Sequence, residues 1–296
     1  MLTTKKIRSK LKKIDPLRHR EFMQRRSARK EVCNRIKELV VGDVLLRLDE
    51  FEGEFYIDSR SDILLRVLAD GFFEPKLARL AVHLTDPERD VIDVGANIGF
   101  YAVLLARRLR TGRRVAAFEP AEEAYAKLLR NVRHNGLEEI ILSMCCGASN
   151  YTGSSALYSV SGRSEYSSLA PIVHPSASSG SISSQPVRTV TVDEVVSNHK
   201  LRPGFMKVDV EGAENLVILG AEHTIQTYRP IVMMEIADQL LQSAGSSAKA
   251  VVEHMLLRDY VVVDPIKPKL RPGSRAYGDV VCFPREDDRW RVLVQQ

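Results

Sequence analysis

The chain has 296 residues, 44% of them hydrophobic and 27% charged, a balance that excludes a disordered protein and a membrane bundle alike. No run approaches the roughly 18–20 apolar residues that cross a bilayer, and the Lys/Arg-dense start lacks the apolar stretch of a secretory signal; a cytoplasmic protein is expected. The net charge of +5 is uneven, because residues 1–37 hold 14 Lys and Arg against Asp15, Glu21 and Glu31, a segment of +11 on a body of −6.

In chain order, residues 1–40 read as a basic helical extension that contacts anionic lipid at a membrane surface or nucleic acid, or is simply solvated. Its one aromatic residue, Phe22, offers little for base stacking. Residues 41–90 contain two β-like runs around Glu52-Gly53, a hairpin followed by a helix leading into the core. From residue 91 to 296 short apolar strands alternate with helical stretches, at Val91–Val94, Arg114–Phe118, Ile140–Met144, Phe205–Val208, Ile231–Met234, Tyr260–Val263 and Asp279–Phe283. This alternation predicts an α/β domain with a seven-stranded sheet and helices on its faces.

Between the first two strands Ile98, Ala102, Leu105 and Leu109 form one apolar stripe at helical spacing; Ala124, Leu128 and Val132 form the next, stopped at Asn135-Gly136. Thr191 with Glu194 resembles a capping box. Residues 149–184 interrupt the pattern with 14 serines, an insert that is either a disordered loop or a substrate lid. Tyr158, Tyr166 and Leu169 favour order in its first half and mobility around Ser176–Ser184. The cysteines Cys33, Cys145, Cys146 and Cys282 lack metal or disulfide spacing, and Cys145 and Cys146, ending an apolar run, read as small buried hydrophobes.

Three motifs carry chemistry. Val91-Ile-Asp93-Val-Gly95-Ala96-Asn97-Ile-Gly99 is a buried strand running into a glycine turn, where missing Cβ atoms let a ligand approach backbone N–H groups. A dinucleotide site needs a second glycine where Asn97 stands, and Asp93 would repel a pyrophosphate but attract the ammonium of a methionine moiety; the cofactor is read as the sulfonium S-adenosylmethionine. Glu119, ending the next strand about 20 residues on, suits the hydroxyls of a ribose. Lys207-Val-Asp209-Val-Glu211-Gly212-Ala213-Glu214 places three acids at a third strand-to-helix turn, Glu214 being as well explained by the helix dipole as by chemistry.

These blocks, with Asn131-Val, Arg229-Pro230 and Glu235, resemble the FkbM-type methyltransferase family from about Phe72 to Glu235. The resemblance implies a Rossmann-like class I methyltransferase fold with a mostly parallel sheet, S-adenosylmethionine as cofactor, and a hydroxyl on a sugar, glycolipid or natural product as acceptor. It maps the cofactor role onto Asp93, Gly95, Ala96, Asn97, Gly99 and Glu119.

Absent motifs point the same way, since there is no Pro-Pro for an amide-methylating turn and no Pro-Cys for pyrimidine carbon chemistry. Activating a hydroxyl calls for a proton acceptor or a metal. Asp209 and Glu235 end neighbouring strands about 4.8 Å apart, so with Glu211 they are the candidate catalytic acids, sharing a proton or holding a divalent cation. None of the 7 histidines falls in a motif, although His174 in the insert is an alternative base. Two rival readings are a nucleic-acid methyltransferase using the basic arm and a non-catalytic cofactor-binding module. Oligomeric state is not encoded in any of these motifs.

Overall fold

The computed structural model describes residues 40–160, 163–170, 182–268 and 277–294, so the basic arm, Cys33 and His174 lie outside the described residues. A hairpin opens the described chain, with β1 (Asp43–Leu48) antiparallel to β2 (Gly53–Asp58). Helix α1 (Asp62–Asp70) starts where the Ser61 hydroxyl accepts the Leu64 N–H and stops at Gly71, whose φ of 84° is left-handed. Helix α2 (Pro75–Leu84) begins with proline, which has no N–H to leave unsatisfied.

The core follows as β3 (Asp90–Val94), α3 (Phe100–Ala106), β4 (Val115–Phe118), α4 (Glu122–His134) and β5 (Ile141–Met144). The serine-rich insert then supplies β6 (Gly147–Ala148), β7 (Gly153–Val160), β8 (Arg163–Ser168) and β9 (Ile182–Val190). The second half runs α5 (Val192–Asn198), β10 (Pro203–Val208), α6 (Glu214–Leu219), α7 (Glu222–Tyr228) and β11 (Ile231–Ala237). It closes with α8 (Asp238–Ser243), α9 (Ala248–Leu256), β12 (Tyr260–Val263), β13 (Tyr277–Pro284) and α10 (Trp290–Val294).

The main sheet has seven strands in the order β12-β13-β11-β10-β3-β4-β5, parallel except for β13, which is antiparallel to both neighbours. All seven expected strands are present in it. The chain runs from β3 outward to β5 and then returns to β10 on the other side of β3. The direction of winding therefore reverses between β3 and β10, and a crevice opens at the carboxyl ends of these strands. This topology is the class I methyltransferase architecture.

Four expectations need correction. Helix α3 is buried on every side, not along one stripe, and Ile98 and Leu109 flank it without belonging to it. Its outer face is sealed by the hairpin, where Phe51 stacks on Phe100 at 4.9 Å and Phe55 meets Phe100 edge-on at 4.7 Å. The insert forms a second sheet, β6-β9-β7-β8, in which Ser183 and Ser184 pair with Ser159 and Tyr158. Backbone pairing does not require apolar side chains, so Ser183 and Ser184 lie in a strand, while residues 176–181 lie outside the described residues. The capping box is half made: the Thr191 hydroxyl accepts the Glu194 N–H at 3.1 Å, but the Glu194 carboxylate accepts from the Thr152 hydroxyl instead. Finally, Cys145 is exposed while Cys146 and Cys282 are buried, because consecutive side chains leaving edge strand β5 point to opposite sides.

Two motif residues turn out to be structural. Asn131 is buried, accepts the Tyr56 N–H at 2.7 Å and donates to the Ile98 carbonyl at 2.8 Å, tying the hairpin and α4 to the glycine turn. Arg229 binds Glu286 at 2.9 Å and the Arg258 carbonyl at 2.7 Å, and lies over the Tyr260 ring. It fastens the end of α7 to the β12 side of the sheet. No described helix is long and apolar enough to cross a membrane.

Candidate active site

A cavity of about 380 Å³ occupies the crevice at the carboxyl ends of the strands. Gly95, Asn97 and Glu119 from the ends of β3 and β4 form one wall, and Asp209, Glu211 and Glu235 from the ends of β10 and β11 form the facing one. Leu157, Ser168 and Leu169 of the insert and Asp62, Arg66 and Glu74 of the α1–α2 segment close the remaining sides. Ala96 borders an adjoining cavity of about 70 Å³ with Tyr101 and Lys207. Asp93 and Gly99 border neither.

The glycine turn is tight for a reason other than ligand approach. Gly95 has φ 77°, and a Cβ there would lie 1.8 Å from the Asp209 carbonyl oxygen, so the chain itself fills the space that the side chain would need. The Gly95 and Ala96 N–H groups both donate to the Phe118 carbonyl, and the Asp209 N–H donates to Val94. Three strand ends are thereby drawn together at one point.

Glu119 is buried, and its two oxygens accept the Asn97 N–H at 2.8 Å and the Ala121 N–H at 2.9 Å. Each carboxylate oxygen keeps a lone pair for a further donor. Burial pushes its pKa up to about 7 against the restraint of those two N–H groups. Asp93 is fully buried, and burial raises its pKa to about 6 against the opposing pull of the Lys207 ammonium and the Ala102 N–H. It stands behind the wall, beside Lys207 in the β3–β10 register.

On the facing wall Asp209 is one-third exposed and accepts a hydrogen bond from the Lys207 ammonium at 3.0 Å. Burial and the neighbouring Asp209 push Glu211 up to about 8, and the same two causes, joined by Glu211, push Glu235 well above the usual carboxylate range. Asp209 and Glu235 border the same cavity from the neighbouring strands β10 and β11. Among the described residues no three His, Cys, Asp or Glu side chains are grouped so as to hold a metal ion. Glu214 turns inward and accepts the Gly212 N–H at 3.0 Å, so it braces the turn and does not face the cavity. No described histidine lines it either.

Raised carboxylates have a measurable consequence. A folded-state pKa above the unfolded value means that the fold holds these protons longer, so stability is full below about pH 4.5 and is lost as pH rises through about 7 for Glu119 and about 8 for Glu211. Thermal melts without added ligand are expected to show a midpoint falling from pH 5 to pH 8.5, with the upper part flattened in Glu211→Gln. A midpoint that stays level or climbs would contradict this.

Sequence reasoning passed over Lys207, Glu74 and Tyr101, and named Ser168 only with Ser167 as a fallback to Asp209. Lys207 was legible, since residues two apart on a strand share a face and Asp209 was already selected. Ser168, whose hydroxyl lies 2.8 Å from the Glu211 carbonyl and 3.2 Å from that of Val210, and Glu74, arriving from the α1–α2 segment, carry no local signal.

Residues 93–262 match the family model of the methyltransferase FkbM domain. The chain is 26% identical over 162 residues to the hexuronic acid methyltransferase AglP of Haloferax volcanii, covering 54% of this chain and 61% of that relative's length. The crystal structure of a methyltransferase FkbM from Methylobacillus flagellatus KT aligns with a TM-score of 0.44 at 16% identity, over 75% of this chain and 55% of that one. The O-methyltransferase from Bacillus cereus in complex with SAH aligns with a TM-score of 0.45 at 13% identity, over 87% of this chain and 99% of that one.

Proposed function

Because the chain belongs to the FkbM methyltransferase domain family, we propose that it transfers a methyl group from S-adenosylmethionine to a hydroxyl oxygen of a sugar. The observation that carries this reading is the division of the cavity, with backbone-held Glu119 and the glycine turn on one wall and Asp209, Glu211 and Glu235 on the other. The residues fit the cofactor. Glu119 has lone pairs left for two ribose hydroxyls, Phe118 and Leu157 offer apolar contact for a base, and buried Asp93 adds negative charge behind the glycine turn. When bound, the sulfonium supplies an electrophilic methyl group. Asp209 takes the proton of the acceptor hydroxyl, while Glu211 and Glu235 accept or donate hydrogen bonds to neighbouring hydroxyls, protonated carboxyls being able to do both.

The acidic wall also argues against nucleic acid as acceptor. Asp62, Glu74, Glu119, Asp209, Glu211 and Glu235 line the cavity with Arg66 as the only basic residue among the described lining, so it offers no basic surface to a phosphate backbone. The relative acts, by its name, on a hexuronic acid, and a wall of several carboxyls able to bond neighbouring hydroxyls supports a sugar as the acceptor here.

The test is incubation of the full chain with radiolabelled S-adenosylmethionine and a panel of methyl glycosides of hexuronic acids and neutral hexoses, with a short RNA as control. Label in a base-stable ether on a sugar supports the reading; label in the RNA alone, or in none of them, refutes it. In calorimetry Glu119→Ala is expected to weaken S-adenosylhomocysteine binding by about 1–3 kcal/mol, as loss of hydrogen bonds to a charged group does. Unchanged affinity would remove Glu119 from the cofactor site.

A further inference from the structure

We propose that Lys207 is the positioning residue of this site, acting through Asp209 by fixing one carboxylate oxygen so that the other is presented to the acceptor hydroxyl. The inference rests on the sugar O-methylation reading and gives a role to a residue which that reading leaves without one.

Lys207 and Asp209 lie two residues apart at the end of β10, so both side chains leave the sheet on the same face. The lysine side chain is only 8% exposed, and its ammonium lies 3.0 Å from Asp209 Oδ2. The opposite flank of the ammonium is covered by the Tyr101 ring, whose centroid is 4.8 Å away. Asp93 on β3 is its register partner. A buried lysine sacrifices hydration that an apolar residue of the same length would not, so space filling does not account for it. Burial alone would lower its pKa, yet Asp209 and Asp93 hold it raised.

The ammonium is thus held between the Asp209 carboxylate and the Tyr101 ring, with the charge of Asp93 on the neighbouring strand, and its reach to Oδ2 is set by the strand. Asp209 is not boxed in. It is one-third exposed and has the carboxyl groups of Glu74, Glu211 and Glu235 as neighbours, each raised in pKa partly by Asp209 itself. A free Asp209 carboxylate, one-third exposed, would turn toward solvent or toward the protonated carboxyls beside it, and the bond from Lys207 opposes that rotation. It occupies Oδ2, and Oδ1 is the oxygen left for a proton. The Tyr101 hydroxyl in turn lies 3.2 Å from Glu74 in the cavity wall, so the platform beneath the lysine is itself anchored.

The experiment compares full-chain wild type, Lys207→Met, Lys207→Arg, Asp209→Asn and the double variant Lys207→Met/Asp209→Asn on whichever panel sugar the wild type methylates. Lys207→Met is expected to lower kcat by about 10²-fold, with S-adenosylhomocysteine affinity changed by no more than about threefold. Lys207→Arg, which keeps charge and donor, should recover to within about tenfold of wild type. The double variant should be no slower than Asp209→Asn alone, since a residue that acts through another loses its effect once that other is gone. The pH–rate profile separates this from a merely structural role. The titratable groups facing Lys207 are Asp93 from β3, Asp209 from β10, and Glu74 and the neutral Tyr101 phenol from the helical side; removing the cation should move the acid limb to higher pH. Should Lys207→Met fail to fold, Lys207→Gln carries the same comparison with a polar group that retains a donor. Losses that multiply in the double variant, or an unmoved acid limb, overturn the proposal while the methylation reading stands. A wild type inert on every sugar overturns the reading, and this inference with it.

Discussion

Asp209→Asn is expected to reduce turnover on the methylated sugar by about 10²–10⁴-fold, the loss that follows removal of a general base, while S-adenosylhomocysteine still binds within about threefold of wild type. The separation follows from position. Glu119 and the glycine turn border the cavity from β3 and β4, and Asp209 borders it from β10. Asparagine keeps the size and planarity of the side chain, and the backbone contacts of residue 209, its N–H to Val94 and its carbonyl against Gly95, remain intact. The measurement is kcat with calorimetry on the same preparation. Full turnover by this variant would make the acid cluster structural; loss of cofactor binding in parallel would place Asp209 on the cofactor side.

A second large effect is expected from Gly95→Ala. The new methyl group would need to occupy a point 1.8 Å from the Asp209 carbonyl oxygen, at a φ of 77° that alanine already disfavours. Because the neighbouring atom is backbone of β10 and not the tip of a flexible side chain, relief requires the two strand ends to part. A cost of about 3 kcal/mol or more places this among the exceptional substitutions, and it corresponds to roughly 10 °C in melting midpoint for a chain of this size. S-adenosylhomocysteine binding should fall by more than about 100-fold, since the same movement separates Gly95 and Asn97 from Glu119. Gly112→Ala is the control. Gly112 has φ 83° but no atom within 4 Å of its added Cβ, so it incurs the backbone cost, about 1 kcal/mol, without the clash. Equal losses at Gly95 and Gly112 would show that conformation, not contact, fixes glycine in the turn.

The sheet was legible because buried parallel strands are short apolar runs, and each of the seven was bounded by turn residues or by a helical period. The acids were legible for a related reason: Asp93, Glu119, Asp209 and Glu235 all sit at or near strand ends, where the fold gathers its ligand site. What escaped depends on contacts distant in sequence. The burial of α3 on all sides comes from Phe51 and Phe55, about 50 residues earlier, and nothing within the helix announces them. Glu74 enters the cavity from outside the sheet altogether. The insert misled by composition, since serine suggests solvent, whereas β7 and β9 need only their backbones to pair and Leu157 to reach the core. Asp93 was placed correctly on its strand but expected in the cavity; the Asp209 carbonyl packed against Gly95 keeps the wall closed in front of it.

The position of β13 between β11 and β12 bears on how the molecule is made. Strand β12 leaves the ribosome ahead of β13, yet β13 is its partner in the main sheet, and β11 likewise lacks a neighbour on that edge until β13 arrives. A nascent chain complete only through residue 263 therefore holds an open strand edge on β11, with Glu235 at its end, and an unpaired β12. Docking β13 between them closes that edge, so this corner of the cavity waits on the last strand of the main sheet to be synthesised.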